Sequence, residues 1–192
     1  MTNPLAQALS QLAPVLESLH IQYAVVGSLA SSAHGVYRAT ADGDLLARVA
    51  PPHARKLAAA LGADWYADAD AIESAIRAGR SFNLIHIPTA LKVDIFPAST
   101  EFHAMQMSRA TRITVFPAEE AAEFPVASPE DVLVAKLQWY REGGEVSEKQ
   151  WGDITGILAT NPALDFPYME SWARRLGVSH LLARAIAAAG QS

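Results

Sequence analysis

The stretch from Tyr23 to Leu46 constrains this chain most. An apolar run, Tyr23-Ala24-Val25-Val26, ends in Gly27-Ser28, and further on Arg38-Ala39-Thr40-Ala41-Asp42-Gly43-Asp44 leads into a second apolar run at Leu45-Leu46. Residues i and i+2 of a strand point to the same face, with α-carbons roughly 6.5 Å apart. Two carboxylates so placed can share a divalent cation, and Mg²⁺ is usually held by one or two carboxylates together with substrate phosphates. Gly27-Ser28 closes one strand and opens a helix, whose first backbone N–H groups can receive an anion. An acid pair and a phosphate cradle in one short segment point to nucleotide chemistry.

The rest of the chain is compatible with one sizeable core. With 192 residues, 51% hydrophobic and 18% charged, the sequence reads as a globular protein of one domain, or of one domain with an appendage. Cysteine is absent, which removes disulfides and thiolate metal sites and fits a cytoplasmic location. The N-terminus has no basic segment followed by an apolar one, as a signal peptide would. No run of about 18 apolar residues is present, so no membrane span is expected. The net charge is −5 and the arginines occur as scattered pairs, Arg77 with Arg80, Arg109 with Arg112, and Arg174-Arg175, so no strong basic nucleic-acid footprint is visible.

Periodicity supplies the elements. Leu5, Leu9, Leu12, Leu16 and Leu19 predict an amphipathic helix over 4–19. Strands are expected at 22–27, 42–49, 82–87, 91–96 and from Arg112 to Phe116, with helices over 28–34, from Pro51-Pro52 to Leu61, over 69–79 and over 100–109. Pro117 to Ser128 is acidic, contains proline and reads as a linker. Beyond Pro129 the pattern is helical throughout. Ser128 caps one helix, Gly143-Gly144 ends it, Ser147 caps a second that ends at Asn161-Pro162, and two more fit 166–176 and 179–189. The expected fold is α/β (α+β): a mixed sheet of about five strands flanked by helices over 1–117, with a C-terminal helical unit over 118–192.

Each candidate group also has a structural role open to it. Asp42 and Asp44 would suit a polar turn as well as a metal. Asp94, among Val93, Ile95 and Phe96, is costly if buried unpaired, and a metal, Lys92 or an arginine would each offset that cost. Ser28 is the natural N-cap of its helix, a role compatible with holding phosphate. Lys136 has Val132, Leu133, Trp139 and Tyr140 three and four residues away, which puts it on an apolar helix face, where a lysine needs a partner or a task. Lys136 and Asp153 lie equally far from a turn centred near Gly144-Glu145, so a helical hairpin brings them level, either as a structural ion pair or as phosphate and acceptor groups. A second Asp-x-Asp, Asp68 and Asp70, precedes a helix and is explained by N-capping. His86 reads as structural. No Gly-x4-Gly-Lys-Ser/Thr loop, Gly-x-Gly-x-x-Gly, His-Glu-x-x-His or Gly-x-Ser-x-Gly motif is present.

Residues 22–49 resemble the signature of the DNA polymerase β-like nucleotidyltransferase superfamily: an apolar strand, Gly-Ser, a short helix, then Asp-x-Asp on the next strand. The resemblance implies a nucleotidyltransferase-type sheet and a third metal-binding carboxylate from a later strand, here Asp94. It also implies Mg²⁺ or Mn²⁺ at Asp42, Asp44 and Asp94, and a nucleoside triphosphate as substrate. His34, Gly35, Arg38 and Thr40 recur around this motif in close relatives. Arg38 would contact a phosphate or pair with a local aspartate. One departure stands out: the residue between the aspartates is usually Ile, Val or Leu in the family, and here it is Gly43, which loosens a strand. Pro129 to Leu137 and Trp151-Gly152-Asp153-Ile154 are similar to the C-terminal part of AbiEii-like nucleotidyltransferases, which include toxins of toxin–antitoxin pairs. In those proteins a lysine and an aspartate from these segments, here Lys136 and Asp153, belong to the active site. The resemblance spans about 22–160.

The expectation is transfer of NMP from an NTP to a hydroxyl acceptor, an RNA or tRNA end or a protein. Gly27, Ser28, Arg38, Thr40 and Lys136 would hold the nucleotide, and a cognate antitoxin is a candidate partner. The alternatives are a catalytically inactive nucleotide-binding or partner-binding module and, last, a metal-dependent phosphohydrolase.

Overall fold

A computed structural model describes residues 3–35, 37–38, 40, 42–116 and 122–190. The chain folds as two compact units, Met1–Leu29 with Thr40–Val126, and Ala30–Ala39 with Ala127–Ser192.

The first unit is built on α1 (Pro4–Ser18), β1 (Tyr23–Val25), the start of α2 (Gly27–His34), β2 (Gly43–Ala47), α3 (His53–Leu61), β3 (Trp65–Tyr66), α4 (Ala69–Arg77), β4 (Phe82–His86), β5 (Leu91–Pro97), α5 (Glu101–Arg109), β6 (Thr111–Thr114) and β7 (Glu123–Val126). The strands form one mixed sheet in the order β3-β4-β5-β2-β1-β7-β6. β2 runs parallel to β5 and β1 parallel to β7, while the other neighbours are antiparallel. The leucine stripe of α1 does what its spacing predicts: Leu5, Leu9, Leu12 and Leu16 are all essentially inaccessible. They join Leu45, Leu57, Leu84, Val93 and Ile95 in the core of this unit. Asn3 caps α1 by accepting from the Leu5 and Ala6 amides.

Gly43 has its explanation in this packing. A Cβ at position 43 would lie 3.2 Å from Leu5 Cδ1, 3.6 Å from Val93 Cγ2 and 3.7 Å from Leu9 Cδ2. The space a branched residue would take is already filled by α1. Gly43 is nonetheless a paired strand residue, in register with Val93.

Two strands were not expected. β3 is two residues long, too short for any period to register. β7 lies inside the supposed linker: Phe124 and Val126 are buried, and Pro125 is accommodated because β7 meets β1 at the single pair Val25↔Val126. The sheet therefore has seven strands rather than about five. The expected domain boundary at 117/118 lies outside the described residues; the helical unit is made of Ala30–Ala39 and Ala127–Ser192.

The second unit holds the end of α2 and four further helices, α6 (Pro129–Glu142), α7 (Glu148–Thr160), α8 (Phe166–Arg175) and α9 (Ser179–Ala189). Ser128 and Ser147 cap α6 and α7 as their positions predict, accepting from the Asp131 and Gln150 amides. Leu133, Leu137, Ile154, Ile157, Met169 and Leu181 form its core. Residues of the 30–39 segment are tied to this unit by hydrogen bonds. His34 Nε2 lies 2.7 Å from the Ala127 carbonyl, and the His34 carbonyl accepts from Thr160 Oγ1 at 2.9 Å. Among the described residues no helix is long and apolar enough to cross a membrane.

Candidate functional site

The acid face of the sheet follows from strand alternation. On β5, Val93 and Ile95 are fully buried, so Lys92 and Asp94 point to the opposite face. On β2, Gly43 and Leu45 belong to the buried face and Asp44 to the other. Asp44 and Asp94 are registered partners across the parallel β2–β5 pair, so their carboxylates are neighbours on one face. Asp42 is exposed just ahead of β2, where the Thr40 hydroxyl donates to its carbonyl at 3.2 Å.

The turn into α2 closes over Asp44. Gly27 has φ +62°, a conformation that suits glycine, and a Cβ built there would overlap the Asp44 carboxylate and lie 2.8 Å from Asp44 Cβ. A side chain at position 27 would thus collide with the acid that the motif presents. The Ser28 amide points at Asp44 Oδ2 from 3.4 Å, and the Val26 amide donates to the Asp44 carbonyl at 2.9 Å. Glycine is required here by the close approach of backbone to carboxylate.

Lys92 supplies the counter-charge. Its Nζ lies 2.8 Å from Asp94 Oδ2, with the lysine side chain 43% exposed and the aspartate 21% exposed. The hydrogen bond to Asp94 pushes the ammonium above the usual lysine range; the charges of Asp94, Asp42 and Asp44 act in the same direction, against some loss of solvation. Of the three ways to offset the burial of Asp94, the structure contains the lysine. Among the described residues, no group of three or more His, Cys, Asp or Glu side chains is drawn together as a metal cluster.

In the second unit, Lys136 and Asp153 meet as the hairpin geometry predicts. Lys136 Nζ donates to Asp153 Oδ2 at 2.8 Å, with side chains 4% and 11% exposed. Arg38 Nε lies 3.5 Å from Asp153 Oδ1. Arg38 therefore pairs with a distant aspartate rather than a local one, which sequence spacing alone could not reveal. The same unit contains a second buried carboxylate, Asp131, which accepts from Ser128 Oγ at 3.0 Å and Tyr168 Oη at 2.5 Å and is satisfied structurally. Burial pushes His34 below the usual histidine range, opposed by its hydrogen bond to the Ala127 carbonyl and by the charge of Glu130.

Two sequence readings of structural roles hold. His86 is fully buried between Gln11 Oε1 at 3.1 Å and Thr89 Oγ1 at 2.8 Å. Asp68 caps α4, accepting from the Asp70 and Ala71 amides. Sequence reasoning missed the Arg38–Asp153 pair and the Tyr168–Asp131 bond; the only signal for the latter was a carboxylate at the third position of a capped helix.

No protein-family model matches the chain, and no curated protein matches it. Solved structures do. An antigenic nucleotidyltransferase-like protein from Paracoccidioides brasiliensis shares 20% identity with a TM-score of 0.56, covering 96% of this chain and 93% of that one. ANT(2")-Ia, solved in complex with adenylyl-2"-tobramycin, shares 13% identity with a TM-score of 0.56, over 93% and 99% of the two chains. At these identities the likeness is one of fold, and the fold of this chain is that of the nucleotidyltransferases.

Proposed function

We propose that the protein is a metal-dependent nucleotidyltransferase that moves NMP from an NTP to a hydroxyl acceptor. The observation that carries this reading is the registered pair Asp44 and Asp94 beneath the Gly27-Ser28 turn of a nucleotidyltransferase-type fold. The donor set fits a hard cation, because it is oxygen-only, lies on one face and already attracts an ammonium. Mg²⁺ or Mn²⁺ would be held by Asp44 and Asp94, with Asp42 beside them and substrate phosphates completing the shell. When bound, such ions offset charge on the entering and leaving oxygens of an in-line displacement.

The remaining work falls to this chain. Glycine at 27 lets the turn lie against the Asp44 carboxylate, and the Ser28 amide and hydroxyl at the start of α2 would receive a phosphate beside it. The acceptor oxygen bonds to the α-phosphorus while the bond to the bridging oxygen breaks, releasing pyrophosphate; the acceptor's proton passes to solvent or to a carboxylate. The sequence resemblance further assigns Arg38, Thr40 and Lys136 to nucleotide binding and Asp153 to the acceptor. It names an RNA or tRNA end or a protein as that acceptor, and a toxin–antitoxin setting that co-purification with the neighbouring gene product would test.

Incubation with each α-³²P NTP and Mg²⁺ or Mn²⁺ tests the central claim. The wild-type protein should transfer label, and Asp44→Asn should abolish both metal binding and transfer. Asp94→Asn should stay folded, keep most nucleotide binding and lose transfer. Metal binding that survives Asp44→Asn unchanged refutes the proposal.

A further inference from the structure

The arrangement on β5 has a feature that the transfer reaction does not itself require. Lys92 and Asp94 are two residues apart on one strand and therefore side by side on one face, and the ammonium sits on the very carboxylate that the proposed metal needs. Asp44 is the cross-strand neighbour of Asp94, and Asp42 and Asp44 both act on the Lys92 charge. The ammonium thus sits on one carboxylate whose cross-strand neighbour is a second. Nearly half of the lysine side chain is exposed, so its head can leave Asp94 for water without disturbing the core, which lies on the opposite face with Val93 and Ile95.

We infer that Lys92 is a built-in counter-cation of the acid face, which holds Asp94 while no divalent ion is bound and yields it when one arrives, so that Lys92 lowers the affinity of the site for metal alone. The inference rests on the metal-dependent reading above. Its physical content is competition: a divalent ion must displace a hydrogen-bonded ammonium and then tolerate a positive charge a few ångströms away. Nucleotide phosphates bring negative charge and further oxygen ligands, which offset both effects. Lys92 thereby makes metal loading depend on nucleotide. It is a positioning residue, acting through Asp94.

Mn²⁺ titration followed by EPR, without nucleotide, tests this with no recourse to activity. Lys92→Met should bind Mn²⁺ about tenfold more tightly than wild type, or better, the order expected for removing a charge at short range in a solvent-like dielectric. Lys92→Arg keeps the charge and should stay within about threefold of wild type. Lys56→Met, on the exposed side of α3, should change nothing. If Lys92→Met does not fold, Lys92→Gln carries the same test. In wild-type protein, Mn²⁺ should also raise the acylation rate of Lys92, read by mass spectrometry. A merely structural lysine would lower the melting temperature without tightening Mn²⁺ binding. Equal or weaker binding by Lys92→Met, beside measurable binding by wild type, overturns the inference and leaves the metal reading standing. Mn²⁺ binding to neither protein overturns the metal reading, and the inference with it.

Discussion

Removing Asp153 should be more damaging than removing Lys136, although the two form one ion pair. The Lys136 side chain is 4% exposed and its ammonium lies 2.8 Å from Asp153. Asp153→Ala leaves that ammonium buried, with the Arg38 guanidinium on the same side and no carboxylate between them. Breaking a buried pair in this way costs about 3–5 kcal/mol. For a chain of this size that corresponds to a fall in Tm of roughly 6–20 °C, at about 2–4 °C per kcal/mol. Lys136→Met removes the buried charge itself, and Asp153 keeps Arg38 at 3.5 Å, so the cost should be about 1.5–3 kcal/mol, that of one hydrogen bond to a charged group. The double variant Lys136→Met/Asp153→Leu should recover most of the loss, since apolar replacement of a buried pair is often neutral or better. Trp139, Trp151 and Trp172 lie in the helical unit and only Trp65 in the other, so tryptophan fluorescence reports chiefly on the unit being perturbed. Melts of the two single variants and the double variant, each beside a labelling assay, complete the test. An Asp153→Ala protein that melts within about 1 °C of wild type would refute the burial argument, given the slope above. A stable Lys136→Met protein with unchanged triphosphate binding and transfer would refute the catalytic assignment of Lys136.

Two further outcomes are expected. Gly27→Ala should lose about 1–2 kcal/mol from the left-handed backbone alone and, by pushing the Asp44 carboxylate aside, should abolish Mn²⁺ binding; an EPR titration matching wild type would show that Asp44 is not the ligand. Burial, reinforced by the charge of Glu17 and its hydrogen bond and opposed by Arg112, pushes the Tyr23 phenol up to about 12. A raised acid pKa favours the protonated fold, so this contribution is fully present below about pH 10 and is lost as pH rises toward about 12. Urea midpoints of wild type and Tyr23→Phe, compared from pH 8 to 12, should differ in their alkaline slope, and parallel curves would contradict the assignment.

The parts of this molecule that were readable in the sequence are those set by local rules. The strand, Gly-Ser turn, helix and the strand that carries Asp44 follow in order because each depends on neighbours a few residues away, although Asp42, expected on that strand, lies just ahead of it. The Lys136–Asp153 pair was readable for the same reason: a helical hairpin converts distance from its turn into level. What escaped depends on contacts distant in sequence. β3 is a two-residue pairing with His86 and Ile85, created by the sheet rather than by its own pattern. β7 reads as linker because Pro125 and the acidic run before it mask two buried residues, Phe124 and Val126. Arg38 finds Asp153 because 30–39 joins the helical unit, which no spacing rule anticipates.

Gly43 shows how the two kinds of information combine. Read locally, a glycine between two catalytic-type aspartates weakens the strand that must hold them. In the folded unit the same glycine is what lets α1 lie close against β2, with Leu5 and Leu9 occupying the volume of the missing side chain. Strand alternation then does the rest. The face that gives up its side chain at 43 is the face buried under α1, and Asp44, Asp94 and Lys92 lie on the opposite face. A branched residue at 43 would have to displace Leu5 Cδ1, at 3.2 Å from its Cβ, and so move the helix or the acid strand. The departure from the family pattern is therefore coupled to the N-terminal helix, a segment that the resemblance over 22–160 did not cover. The geometry of the acid pair depends on α1 as much as on the motif.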